Sequence, residues 1–480
     1  MPRTGDGSGR VAFKASRYNA SWRSGPNHFT LVNTRTAAVL RAFETSPGEV
    51  HTALLHSESS FTVPVERAVL DLLSANGFIV AADFDELAWL ERLHKASREG
   101  QSAFGIGLAV TLACNFRCTY CYQLHEGLHM PEEVEEAVVR LADRELAGRE
   151  TLRVRWCGGE PLLRVESIRR AGDALRDVAQ RHGSAYDASI TTNGYLLDES
   201  TATALVDAGV LNVQVTLDGP PDVHDQRRQL ADGGRTGARI LENVLAVAPV
   251  FRRFIVRINV DRRNAQEAVG LLGLLAPVRE AIVLAFRPTT SPEQPNQYDP
   301  WSLQRAEWWG LNAAFSAEAE AIGLRVIRGY AVPGTSFCSG YQRNSLAIDP
   351  YGDAHLCPVC VGRREQRFGE LTLDGRVVTA DGPQNAWAKW SPFEDSDCRE
   401  CVALPVCMGG CLWYLGQGKA ESFRCWAKHG IVEGIAKDPT LSGWIRAAWE
   451  GAPDRGQEEV IWDATGRETN LGGGRCCDGG

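Results

Sequence analysis

The chain has 480 residues, 44% hydrophobic and 23% charged, with a net charge of −9. That length exceeds one ordinary core and predicts two or three domains, while the acidic balance without a long basic run argues against a nucleic-acid partner. No apolar run approaches the ~18–20 residues that cross a bilayer, and the polar, glycine-rich start has no apolar signal core, so a cytoplasmic protein with no membrane partner is expected.

In chain order, residues 1–12 read as a flexible N-terminus. Block 13–95 mixes a strand-like run (28–32) with helical ones (36–43 and 65–76) and closes on Gly77-Phe-Ile-Val and an acidic turn at 83–86. Its pattern resembles the small winged-helix domain with which many peptide-modifying enzymes hold a precursor's leader, added as a strand to an open sheet edge. A structural cap or a dimerisation module fits the same pattern.

From Phe104 the chain alternates strand and helix: 106–111 with 131–147, 152–156 with 167–179, 189–191 with 199–208, 213–217 with 238–248, 254–260 with 265–275, and 282–286 with 302–322. The first helix shows the logic, with Pro131 at its first turn, Val134, Val138 and Leu141 on one face, and Gly148 as its stop. Six parallel strands predict an α/β fold over 104–325, a partial (β/α)6 TIM-type barrel with its site at the carboxyl ends of the strands. Block 326–430 is rich in Cys, Gly and Pro and weak in periodicity, so an embedded metal core would supply its stability. Residues 431–480 read as a C-terminal helix and a flexible tail ending in glycines with Cys476 and Cys477.

The fourteen cysteines fall into short-spaced sets, which suits metal or iron–sulfur ligation better than disulfides. Cys114, Cys118 and Cys121 follow the first strand in the spacing CxxxCxxC, three thiolates for a cubane with four irons. This loop resembles that of the radical S-adenosylmethionine (SAM) enzymes, which implies a [4Fe–4S] cluster whose open iron chelates SAM, reductive cleavage to a 5′-deoxyadenosyl radical, and Tyr120 flanking the adenine. A zinc site is the alternative reading of the cysteines.

Other strand ends agree with the resemblance. Gly158-Gly159-Glu160-Pro161 is similar to the family's GGEP motif, whose glycines would admit SAM and whose Glu160 would accept its ammonium group. Thr192 and Asn193 end strand three, Asp218 ends strand four, and Arg257 and Asn259 share one face of strand five; all are expected near SAM or the substrate. His224 and Asp225 fit a structural loop at least as well as catalysis. Cys157 reads as packing, and His125 and His129 as loop residues.

Cys338, Cys357, Cys398, Cys401, Cys407, Cys411 and Cys425 resemble, cysteine by cysteine, the SPASM domain appended to many radical SAM enzymes. The resemblance implies two auxiliary clusters and hence three [4Fe–4S] clusters in all. Cys398, Cys401, Cys407 and Cys425 would hold one; Cys338, Cys357 and Cys411 the other, with Cys360 as candidate fourth ligand. A pair of structural zinc sites is the competing reading. The expected function is a maturase that binds a ribosomal precursor peptide by its leader, takes electrons from a donor such as ferredoxin or flavodoxin, and forms a crosslink, foremost a Cys thioether. Carbon–carbon crosslinking, formylglycine formation on a sulfatase, and an iron–sulfur or zinc scaffold without SAM chemistry are the alternatives. No role is expected for Cys476 and Cys477.

Overall fold

The computed structural model describes residues 12–23, 28–43, 49–55, 67–100, 102–289, 301–303, 305–327, 334 and 338–416. Cys425, Cys476, Cys477, residues 1–11 of the expected N-terminal segment 1–12, and the expected C-terminal helix and tail at 431–480 lie outside the described residues.

One sheet organises the molecule. Its strands are β1 (Ala103–Thr111), β2 (Thr151–Gly158), β3 (Ala185–Thr192), β4 (Val210–Thr216), β5 (Arg253–Val260), β6 (Ile282–Pro288), β7 (Arg325–Val326), β8 (Ser345–Ile348), β9 (Asp353–His355), β10 (Gly369–Leu371) and β11 (Val377–Thr379). The order is β7-β6-β5-β4-β3-β2-β1-β8-β9-β10-β11. The pairs from β1 to β7 are parallel. β1 to β6 are the six expected barrel strands, and helices Glu132–Glu145, Val165–Arg181, Glu199–Asp207, Gly237–Val247, Gly270–Leu275 and Arg305–Ala321 follow them in turn. Parallel strands need such crossovers, and the apolar faces of the helices bury against the sheet. The strands carry much of the core: Val154, Trp156, Ile190, Val215, Val256 and Leu284 are all buried.

The cysteine-rich block is joined to the barrel by backbone. β8 pairs in parallel with β1, Ser345 opposite Gly105 through Ile348 opposite Leu108, and then β9 to β11 continue as an antiparallel meander. Asp349 ties the β8–β9 turn, accepting from the backbone N–H of Tyr351, Asp353 and Gly362 and pairing with His355.

The N-terminal block contains a three-stranded antiparallel sheet (Asn19–Arg23, His28–Asn33, Ala38–Phe43) and helices Glu49–Leu55 and Arg67–Ala75. Residues 36–43, expected as helix, are mostly strand. The run 36–43 has alanine and leucine enough to suit a helix, but Asn33 Oδ1 accepts the N–H groups of Arg35 and Thr36, and Ala37 takes φ 58°. That turn directs the chain back along His28–Asn33, and cross-strand pairing overrides local propensity.

Helix Glu86–Arg98 fastens this block to the cysteine-rich one. Its buried Glu86 accepts from Ser16 Oγ at 2.6 Å and from Arg17 N at 2.9 Å and pairs with Arg35 at 3.0 Å. Thr34 Oγ1 donates to Val402 O at 2.5 Å, and Arg17 Nη2 to Arg399 O at 2.7 Å. Tyr18, Leu87 and Leu90 share an apolar cluster with Phe393, Cys398 and Met408. The block therefore packs on the segment that carries Cys398 and Cys401.

Candidate active site

The cysteine loop grows from the end of β1. Leu112 N donates to Leu128 O, Met130 N to Val110 O, and Thr111 Oγ1 lies 2.8 Å from His129 Nδ1, so the base of the loop is clamped. Inside it, the short strand Phe116–Cys118 pairs antiparallel with Arg228–Leu230, setting Cys118 opposite Arg228. Burial pushes the Cys114 thiol up to about 12 and Cys118 up to about 11. Both keep their protons at neutral pH until a metal displaces them.

The end of β2 is sewn to the same loop. Gly159 N donates to Thr111 O and Glu160 N to Ala113 O, each at 2.8 Å. A Cβ on Gly158 (φ +116°) would stand 2.3 Å from Thr111 O, and one on Gly159 would stand 2.2 Å from Ala113 O. The glycines thus admit the backbone that leads into Cys114. Pro161 opens the 3-10 turn Pro161–Arg164. The fully buried Glu160 accepts from Leu162 N (2.9 Å), Thr192 Oγ1 (2.7 Å) and Asn193 N (2.7 Å). It locks β2 to β3 beside Cys114, whose thiol feels its charge. Asn193 completes the joint, donating from Nδ2 to Asn115 Oδ1 at 2.8 Å.

A second network gathers Tyr120, Asp218, Arg257 and Asn259. Tyr120 donates to Asp218 Oδ2 at 2.5 Å and accepts from Asn259 Nδ2 at 3.0 Å and Arg228 Nη1 at 2.8 Å. Asp218 also accepts from Asn259 N and from Arg227 Nε, each at 3.1 Å, and Arg257 Nε donates to Asn259 Oδ1 at 2.7 Å. Arg227 reaches Asp261 at 2.7 Å. Nothing local in the sequence marks Arg227 or Arg228: only their neighbours His224 and Asp225 stand out, and no spacing announces a strand pairing some hundred residues back.

Asp225 accepts from Thr236 N and Gly237 N, both at 2.7 Å, anchoring the start of helix Gly237–Val247. His224 Nδ1 accepts from Asp218 N at 3.1 Å and is buried, and burial followed by the Arg228 charge pushes it down to about 3. A folded-state value below the ordinary ~6.5 means that neutral His224 contributes stability above that pH, lost as pH falls toward 3. His224→Gln should flatten the acid limb of a denaturation-midpoint profile in that window; an unchanged slope would show that His224 is not its source.

Further on, Cys338, Cys357, Cys360 and Cys411 meet in one apolar cluster with Tyr341, Trp387 and Trp413. Cys398, Cys401 and Cys407 lie on and beside the short helices Ser396–Arg399 and Leu404–Cys407. Met408, Gly409 and Gly410 all have positive φ, turning the chain sharply between Cys407 and Cys411. Arg363, just after Cys360, donates to Tyr122 O at 3.0 Å, joining this region to the loop of Cys121. Cys157 packs near Ala109, Leu112 and Ala347.

The family model for the radical SAM superfamily matches residues 108–272, from β1 past β5. GTP 3',8-cyclase of Chlorobaculum tepidum is 34% identical over 290 residues, which span 60% of this chain and 82% of that protein. This chain belongs to the radical SAM superfamily. Mycofactocin maturase MftC of Mycobacterium tuberculosis is 26% identical over 324 residues, 63% of this chain and 76% of that one. Among solved structures, native anSMEcpe with bound AdoMet shares the fold with a TM-score of 0.55 at 19% identity, over 72% of this chain and all of that one. Streptococcus suis SuiB bound to precursor peptide SuiA does so at 0.51 and 15% identity, over 87% of this chain and all of that one.

Membership implies a [4Fe–4S] cluster and SAM, and the residues fit them. Among the described residues no three Cys, His, Asp or Glu side chains converge tightly enough to share a single metal ion. The three thiols nonetheless act on one another electrostatically. Three mutually interacting thiols on one loop are a donor set that a [4Fe–4S] cluster, with an iron for each sulfur, accepts.

Proposed function

We propose that this radical SAM enzyme matures a ribosomally made precursor peptide, forming a crosslink from a cysteine sulfur to carbon. The observation that carries the reading is the N-terminal sheet: among the described residues its outer strands, Asn19–Arg23 and Ala38–Phe43, each pair on one side only. An open edge is the feature that β-strand addition of a leader needs. The likeness to SuiB, which was solved with its precursor peptide and matches 87% of this chain, supports it.

Cys114, Cys118 and Cys121 would hold the SAM cluster. Bound there, the cofactors supply reductive cleavage of the sulfonium, an electron arriving from a donor such as ferredoxin or flavodoxin. The protein's part is position. Glu160, with Thr192 and Asn193, fixes the strand ends beside Cys114, and its carboxylate has one lone-pair direction left for an ammonium donor. Tyr120, held by Asp218, Arg228 and Asn259, would flank the adenine; Gly158 and Gly159 keep the loop close to the sheet, and Arg257 stands by Asn259 for a carboxylate or ribose. Cys338, Cys357, Cys360 and Cys411 would hold one auxiliary cluster, and Cys398, Cys401, Cys407 and Cys425 the second. An oxidised auxiliary cluster would take the electron released when a carbon radical closes on a thiolate. No described helix is long and apolar enough to cross a membrane, and a cytoplasmic site of action suits the oxygen-sensitive chemistry.

The test is incubation of reconstituted, reduced full-length protein with SAM and the small peptide encoded beside its gene. A loss of two hydrogens per linkage is expected, together with 5′-deoxyadenosine. Loss of sulfur, or oxidation of a hydroxyl, would indicate formylglycine formation instead; no 5′-deoxyadenosine above background would remove the enzyme reading. Cys360→Ala should lose one auxiliary cluster by iron and sulfide analysis, and full retention would exclude Cys360 as its ligand.

A further inference from the structure

Arg228 is buried, 7% exposed, and sits opposite Cys118 in the short ribbon. Its guanidinium lies over the rings of Phe116 and Tyr120, each at 5.9 Å, and Nη1 donates to the Tyr120 hydroxyl at 2.8 Å. Nε is buried without a hydrogen-bond partner. Among the described residues Arg228 makes no ion pair, whereas its neighbour Arg227 engages both Asp218 and Asp261. Asp218 and Glu160 are already committed to other donors. Arginine cannot shed its proton to escape burial, and a buried cation that feels the Asp218 and Glu160 charges without a direct ion pair to either is costly for a fold to hold. Across the ribbon from it stands Cys118, on whose sulfur its charge acts directly and which turns negative once it ligates iron.

We propose that Arg228 is the built-in counter-charge of the SAM cluster: it compensates the thiolate-bound cluster at Cys118 and favours its reduced, more negative state. The proposal rests on the cluster being held by Cys114, Cys118 and Cys121. Arg228 is a positioning residue that acts through Cys118, and a fixed charge beside a ligating sulfur is a determinant of cluster potential.

The experiment is a redox titration of the full-length, reconstituted protein, following the EPR signal that changes when SAM is added. At the potential where half of the native cluster is reduced, Arg228→Gln should lower the reduced-to-oxidised ratio about tenfold or more, ~59 mV for a one-electron couple. Arg228→Lys, which keeps the charge, should stay near native. Arg228→Gln with native iron content and an unshifted midpoint overturns the proposal. Should Arg228→Gln fail to take up iron, Arg228→Lys decides: a near-native midpoint supports the proposal, and a tenfold shift despite the retained charge, or failure to load, overturns it. A native chain that assembles no SAM-responsive cluster removes the underlying reading instead.

Discussion

Gly159→Ala is expected to strip the barrel cluster from the protein and reduce 5′-deoxyadenosine formation to background. The added Cβ would lie 2.2 Å from Ala113 O, 2.6 Å from Ala113 C and 2.7 Å from Leu112 O, all backbone atoms that no side-chain rotation can move. Relief requires β2 and the strand-one exit to part by the better part of an ångström. That breaks the bond from Glu160 N to Ala113 O and displaces the residue preceding Cys114. Overpacking alone costs ~1–3 kcal/mol, but the larger effect is on ligation, which depends on where the first of three sulfurs stands. Gly183→Ala is the control: it also has positive φ, +68°, yet a Cβ there meets nothing within 4 Å. It should cost about 1–2 kcal/mol of backbone strain and leave iron content unchanged. Iron and sulfide analysis with the SAM-dependent EPR change reads both variants, and a fully loaded Gly159→Ala protein would contradict the argument.

Asp218→Ala should be the most destabilising single change at the site, by about 3–5 kcal/mol in chemical denaturation, because it leaves Arg227 buried with half its counter-charge removed. Asp218 is fully buried, and its carboxylate accepts from Arg227, Tyr120 and the Asn259 backbone at once. Asp218→Asn keeps the shape and removes the charge, so it should fall between native and Asp218→Ala. Both should weaken SAM binding more than Tyr120→Phe does, since Tyr120→Phe loses the hydroxyl alone whereas loss of Asp218 also frees the end of β4. If Asp218→Ala unfolds within ~0.5 kcal/mol of native, a difference of the size expected for a surface change, the network does not anchor the site.

The chemistry was legible in the sequence because it depends on residue type at short, fixed spacings. CxxxCxxC at a strand end, a GGEP turn after the next strand and an alternation of six strands with six helices need no long-range information, since periodicity and turn chemistry are local. Even so, the sequence misassigned residues 36–43, where an alanine-rich run was decided by its neighbour strand and a left-handed Ala37. Only the tertiary structure decided what surrounds the cysteines. It paired Phe116–Cys118 with Arg228–Leu230, drew Cys360 in with Cys338, Cys357 and Cys411, set β8 against β1, and packed the N-terminal block on the Cys398 segment. The physical reason is that burial and charge compensation are properties of juxtaposed segments: Arg228 lies 110 residues from Cys118, and nothing in either stretch alone says that the other will be its neighbour.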